Sequence, residues 1–124
     1  MAQYKEYNCI YKRPCRWYVL SMEFEWDEAK NTSNRNKHGV RFEEAQSIFE
    51  RSVLMWEDTR RDYGEPRFIS VGEIGDSIVV VLAVVHTPRG RTTRIISARK
   101  ANVRERSLYY AYLEEKTQRD RRDS

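Results

Sequence analysis

The chain has 124 residues, enough for one domain that buries roughly two-thirds of its unfolded surface, and its 40% apolar and 34% charged content excludes a disordered chain. Its longest apolar run, IVVVLAVV at 78–85, is far shorter than the roughly 18–20 residues a membrane-spanning helix needs and reads as a buried strand. Of the formal charge of +4, residues 1–21 supply +3 through Lys5, Lys12, Arg13 and Arg16 against Glu6, so net charge by itself does not indicate a polyanionic partner.

Residues 1–21, MAQYKEYNCIYKRPCRWYVLS, form a Tyr-rich segment in which Pro14 interrupts any regular pattern. Both cysteines, Cys9 and Cys15, fall here, outside any CxxC pair or Cys/His cluster of zinc spacing, and WYVL is too short for the apolar core of a secretory signal. A reducing cytoplasm is therefore the expected compartment, with no structural disulfide and no structural zinc. Met22 is an alternative start, and 1–21 is expected as an extension, either an upstream mis-start or a loosely packed arm, before a domain at 22–117 and a flexible charged tail at 118–124.

MEFEW at 22–26 alternates Met22, Phe24 and Trp26 with Glu23 and Glu25, the period of a half-buried strand. Asp27 is placed to cap a helix running to about Lys37, with Glu28 in its first turn and Gly39 as left-handed terminator. Beyond Ala29 this helix has no apolar stripe, so it is expected to present a surface rather than bury one. Phe42, Ala45, Ile48 and Phe49 carry helical spacing through RFEEAQSIFE, a second helix for the sheet to receive.

Strand-like VLMW at 53–56 and the polar loop EDTRRDYGEP come next. RFISVGEI, a two-residue turn at Gly75-Asp76, SIVVVLAVVH, the loop TPRGR and TTRIISA then read as a three-stranded meander. Asn102 and Glu105 have capping-box spacing for a final helix to about Glu115, with Val103, Leu108, Tyr109, Tyr112 and Leu113 as its packing face. The expected fold is α+β, an antiparallel sheet of about four strands with two N-terminal helices and a C-terminal helix packed on one side.

Charge is concentrated late in the chain. From 86 to 106, Arg89, Arg91, Arg94, Arg99, Lys100, Arg104 and Arg106 face only Glu105, a patch that a polyanion would feel. Arg94 and Arg99 are five apart, so in a regular strand they point to opposite faces, and both serve one site only if Arg99 has left the strand. A solvated edge or carboxylate pairing is the competing explanation for these arginines. Lys37-His38-Gly39 ends the first helix, where His38 is either a proton-transfer group near neutrality or a cap complementing the helix dipole. His86 ends an apolar strand and fits core packing. Asp62, Glu65 and Arg67 precede a strand, as a carboxylate base beside a charge stabiliser or as surface salt bridges. No dinucleotide fingerprint, phosphate-binding loop, nucleophile elbow or zinc-protease helix is present. Cations, an imidazole and a carboxylate suit RNA cleavage through the substrate's own 2'-hydroxyl, which needs a proton acceptor, a proton donor and positive charge around the phosphate.

FEWDEAKNTSNRNKHGVRFEEA, GEPRF, RIISARKANVRER and Tyr110, in that order, resemble the BrnT family of bacterial type II toxins. The resemblance runs from about Phe24 to the end of the last helix. It implies a RelE-like fold and a ribonuclease that inhibits translation; no cofactor is expected. The implied partner is a BrnA-type ribbon-helix-helix antitoxin that also binds operator DNA. On matching motifs it points to Lys37, His38, Glu65, Arg67, Arg94 and Arg99; from their chemistry Lys37, His38, Glu65, Arg67 and Arg94 are expected as catalytic, with His38 or Glu65 as proton acceptor and the other or Lys37 as donor, and Arg99 with Arg89, Arg91 and Lys100 as RNA-binding. Arg41 stands where relatives commonly carry Ser before FEEA, which removes a side-chain acceptor from the second helix's start. Two other functions fit the same patch: a non-catalytic nucleic-acid binder, or a scaffold that docks its antitoxin.

Overall fold

The computed structural model describes residues 23–122, so Met22, the two cysteines and the expectations for residues 1–21 lie outside the described residues. The chain enters as strand β1 (Glu23–Glu25) and turns into helix α1 (Glu28–His38). Helix α2 (Phe42–Ala45) follows and tightens into a 3₁₀ turn (Gln46–Glu50). Strands β2 (Leu54–Glu57), β3 (Phe68–Ile74), β4 (Val80–Arg89) and β5 (Thr92–Lys100) lead to helix α3 (Val103–Arg122). Asp27 caps α1 by accepting from the backbone of Ala29 and Lys30 at 2.8 and 3.2 Å, and Gly39 ends it at φ 72°. No helix among the described residues is long and apolar enough to cross a membrane.

The sheet has five strands rather than four and is mixed rather than antiparallel, in the order β1-β5-β4-β3-β2. β2 to β5 form an antiparallel meander, and β1 joins its edge parallel to β5, with Phe24 beside Thr93 and Glu25 beside Arg94. The alternation in MEFEW reveals a strand but not its neighbour, which is supplied from about seventy residues away.

Helices cover both faces, which corrects the one-sided layout. On one face α2 and the 3₁₀ turn bring Phe42, Ala45, Ile48 and Phe49 against Met55, Leu82, Val84 and Ile95. On the other, Tyr109 and Tyr112 of α3 cover Leu54, Ile69, Val71, Val81 and Ala83, and the Tyr109 hydroxyl donates to Ser52 O at 2.9 Å. The cause is in the strands. β3 and β4 are apolar at consecutive positions, so both their faces need cover. Ile48 approaches the sheet where Gly72 leaves room, since a Cβ there would stand 2.9 Å from the Ile48 Cβ.

Other boundaries also differ. Ile74 pairs with Val80, so the β3–β4 loop is residues 75–79, and Ile78 in it is 81% exposed instead of buried in a strand. The two-residue turn is Gly90-Arg91, with Gly90 at φ 62°. α3 continues past Glu115 to Arg122, and its Val103 faces outward.

α1 docks through polar groups. Asn34 donates to Ala98 O at 2.8 Å and Val40 O at 2.9 Å, and accepts from Ala98 N at 3.2 Å. Its amide thus continues the β5 edge where β1 stops. Asn31 accepts from Phe42 N at 2.9 Å. That bond satisfies one of the free N–H groups at the start of α2, where the Arg41 guanidinium cannot accept, and Glu44 Oε1 receives Arg41 N at 3.2 Å.

Candidate functional site

The arginines lie on the sheet face that α3 partly covers, and a single bulge arranges them. Along β4 and β5, Val85 lies opposite Ser97 but His86 opposite Ile95, leaving Ile96 as an extra residue. Arg99 therefore pairs with Ala83 and Arg94 with Thr87, positions of equal parity on β4, so both arginines point to the α3 face while still inside β5. The parity rule that separated them fails because Ile96 adds one residue between them.

Arg67 immediately precedes β3 and shares the parity of Ile69, which faces α3. Thr87, fully buried, donates to Pro66 O, tying the entry of β3 to β4. Thr87 thus stands between Arg67 on one neighbouring strand and Arg94 on the other, two strand spacings or about 10 Å apart at the backbone. Two long guanidinium side chains can meet on one group across that gap.

Three ion pairs set the local field. Glu65 lies 3.6 Å from Arg67 and 3.7 Å from Arg89, and Arg94 lies 3.8 Å from Glu25. All three are longer than hydrogen bonds, so the guanidinium donors are not consumed. The Nε of Arg67 is buried without a hydrogen-bond partner, which is uncommon enough in a folded protein to need a cause.

The segment between β2 and β3 shapes the neighbouring wall. Asp58 is buried, and its carboxylate accepts from Arg60 Nε at 2.8 Å, Arg60 Nη2 at 2.9 Å and the Tyr63 hydroxyl at 3.1 Å. The Arg60 hydrogen bonds hold the Asp58 carboxyl down at about 2. Tyr63 in turn receives the Arg67 guanidinium over its ring, 4.2 Å from the centroid. Asp62 accepts from Gly64 N at 2.9 Å, closing a local turn. Asp58, Asp62 and Gly64 line an open cleft of about 530 Å³ with Tyr63, Glu65 and Arg67 on its wall.

The remaining expected site residues lie elsewhere. Lys37 and His38 end α1 one turn beyond Asn34, which is bonded at Ala98, toward the end of β5 that leads into α3; Arg94 is near the opposite end. They do not join the cluster. Arg99 is on the arginine face but is held by Glu105 in a two-pronged pair at 2.6 and 2.8 Å, which raises the Arg99 pKa. Glu105 and Asn102 also form the expected capping box, at 2.8 and 2.9 Å, so Arg99 ties β5 to α3. Arg91 is exposed in the β4–β5 turn, and Lys100 pairs with Leu82, on the face opposite Arg99. His86 is a core residue, as its position suggested: it shares a 2.7 Å hydrogen bond with Ser70 and packs between the Phe49 and Phe68 rings. Burial pushes it down to about 3.

Sequence reading missed Asp58, Tyr63 and Thr87. A lone aromatic immediately before GEPR was the available signal for Tyr63. Nothing marked Asp58, since a buried carboxylate in a polar loop looks like a solvated one.

A family model described as "Ribonuclease toxin, BrnT, of type II toxin-antitoxin system" matches residues 26–105. No curated protein matches. Among solved structures, the chain is similar to the ribonuclease toxin BrnT of Brucella abortus, with 28% identity and a TM-score of 0.49 over 66% of this chain and 99% of that one.

Proposed function

Because the chain belongs to the BrnT family of ribonuclease toxins of type II toxin-antitoxin systems, we propose that it cleaves RNA on the face that carries Glu65, Arg67, Arg89 and Arg94. The observation that supports this most is the pair Arg67 and Arg94 on either side of Thr87, with Glu65 between Arg67 and Arg89. Arg67 and Arg94 hold the non-bridging oxygens of one phosphate and offset the charge that grows there as a fifth oxygen approaches. Glu65 accepts the proton of the RNA 2'-hydroxyl, whose oxygen attacks the adjacent phosphorus; the bond to the 5'-oxygen breaks and that oxygen takes a proton from solvent water, leaving a 2',3'-cyclic phosphate and a 5'-hydroxyl end. Arg89 and Arg91 hold neighbouring phosphates. We assign no step to Lys37 or His38.

Membership in a type II system implies an antitoxin partner. We propose that this is a BrnA-type ribbon-helix-helix protein, through which the complex contacts operator DNA, and that RNA cleavage inhibits translation in the bacterial cytoplasm. Within this reading residues 22–117 are the toxin domain, with the RelE-type layout, and the chemistry needs no metal.

The test is incubation of purified protein with RNA in the presence of a chelator. Fragments ending in cyclic phosphate are expected, formed on the order of a hundredfold more slowly or worse by Arg94→Ala. Intact but retarded RNA would make the protein a binder, and undiminished cutting by the Arg67→Ala, Arg94→Ala double variant would remove the chemistry from this face.

A further inference from the structure

Beside the proposed scissile-phosphate position lies a feature that phosphate binding alone does not explain. Among the described residues Tyr63 is the sole aromatic side chain on the wall of the cleft formed by residues 57–67, and its ring orientation is fixed from two directions. Its hydroxyl is held at 3.1 Å by Asp58, itself fixed by Arg60, and one ring face receives Arg67 at 4.2 Å. A guanidinium stacked on a ring spends its face on the stack and keeps its N–H donors along its edge. For Arg67 the terminal donors of that edge are lightly committed, since Nη2 meets Glu65 only at 3.6 Å, while Nε is buried behind them without a partner. The same residue therefore presents a planar surface continuous with Tyr63 and an edge suited to an anion.

We infer that the 57–67 cleft is a nucleobase subsite, in which the base of a nucleotide flanking the scissile phosphate stacks on the Tyr63–Arg67 layer while its phosphate meets the Arg67 edge. This rests on the ribonuclease reading and adds to it a contact to the base. The ligand is a flat aromatic base on an unpaired strand, because a base inside a duplex has both faces covered. Asp58 holds Tyr63 as a positioning residue and does not itself read the base, since its oxygens are occupied by Arg60 and Tyr63. Purines, with the larger ring area, stack better than pyrimidines.

The experiment uses the full chain and single-stranded oligonucleotides carrying 2'-O-methyl groups, which cannot be cut through the 2'-oxygen, with an abasic site placed at each position in turn. Dissociation constants are read by fluorescence anisotropy. For the wild-type protein, one position is expected at which removing the base weakens binding by about five- to a hundredfold. Tyr63→Ala is expected to abolish that contrast, and Tyr63→Phe, which keeps the ring, to retain most of it. A wild-type protein indifferent to every abasic site overturns the proposal, as does a full contrast surviving in Tyr63→Ala. Failure of the wild-type protein to cut unmodified RNA counts against the ribonuclease reading alone, because the abasic contrast still decides the subsite.

Discussion

Arg94 reaches toward Glu25 at 3.8 Å and Arg67 toward Glu65 at 3.6 Å, so each is lightly neutralised while keeping donors for an anion. At this scale the distinction between arginine and lysine is testable. An ammonium lacks the planar fork and the stacking face, so Arg67→Lys is expected to retain the fold but lose most of the cleavage rate and RNA affinity, measured by initial rates and anisotropy. Full activity in Arg67→Lys would show that charge alone suffices. Gly72 supplies a stability counterpart. Its Cβ-less backbone lies against Ile48 and Val53, where an added carbon would stand 2.9 and 3.0 Å from their side chains. Gly72→Ala is expected to destabilise by about 1–3 kcal/mol in denaturant unfolding, because a packed core resists added volume.

Between elements, the contacts are set by a few polar side chains. Asn34 satisfies both Ala98 backbone groups and Val40 O, and Asn34→Ala would leave buried donors and acceptors without partners. A loss of about 1–3 kcal/mol is expected, with hydrogen exchange at Ala98 accelerating before that of the β3–β4 pair. Equal protection at Ala98 in wild-type and variant would mean the amide carries little of the docking. The polar helix thus looked like a free surface only because hydropathy does not count hydrogen bonds to backbone. The bulge at Ile96 was likewise illegible: RIISAR reads as regular alternation, and only the partner strand shows that one residue is extra. Caps were legible, since Asp27, Gly39, Asn102 and Glu105 act on groups within a few residues of themselves.

For the whole molecule, acid stability follows from His86 and Asp58. Burial lowers His86 from 6.5 to about 3, so below 6.5 the unfolded chain binds a proton that the folded chain refuses. Stability is therefore present above 6.5 and is lost as pH falls, by about 1.4 kcal/mol per unit. Asp58, lowered from 3.8 to about 2, acts in the same direction further down, its contribution disappearing between those values. Unfolding free energy is expected to drop by about 2 kcal/mol from pH 6.5 to pH 5, with most of that dependence absent in His86→Gln; the same slope in both proteins would assign it to other groups. RNA binding is expected to weaken with salt, with a log–log slope of about −2 if Arg67 and Arg94 share one phosphate and Arg89 and Arg91 each meet another. The sequence by itself determined the order of elements, most caps, the apolar positions and the motifs that carry the family, because these depend on spacing along the chain. Only the tertiary structure decided the parallel β1–β5 pairing, helices on both faces, and which arginines share a face with Glu65. It also committed Arg99 to Glu105. Each of these depends on strand register and on contacts between residues distant in sequence, which periodicity within one segment does not encode.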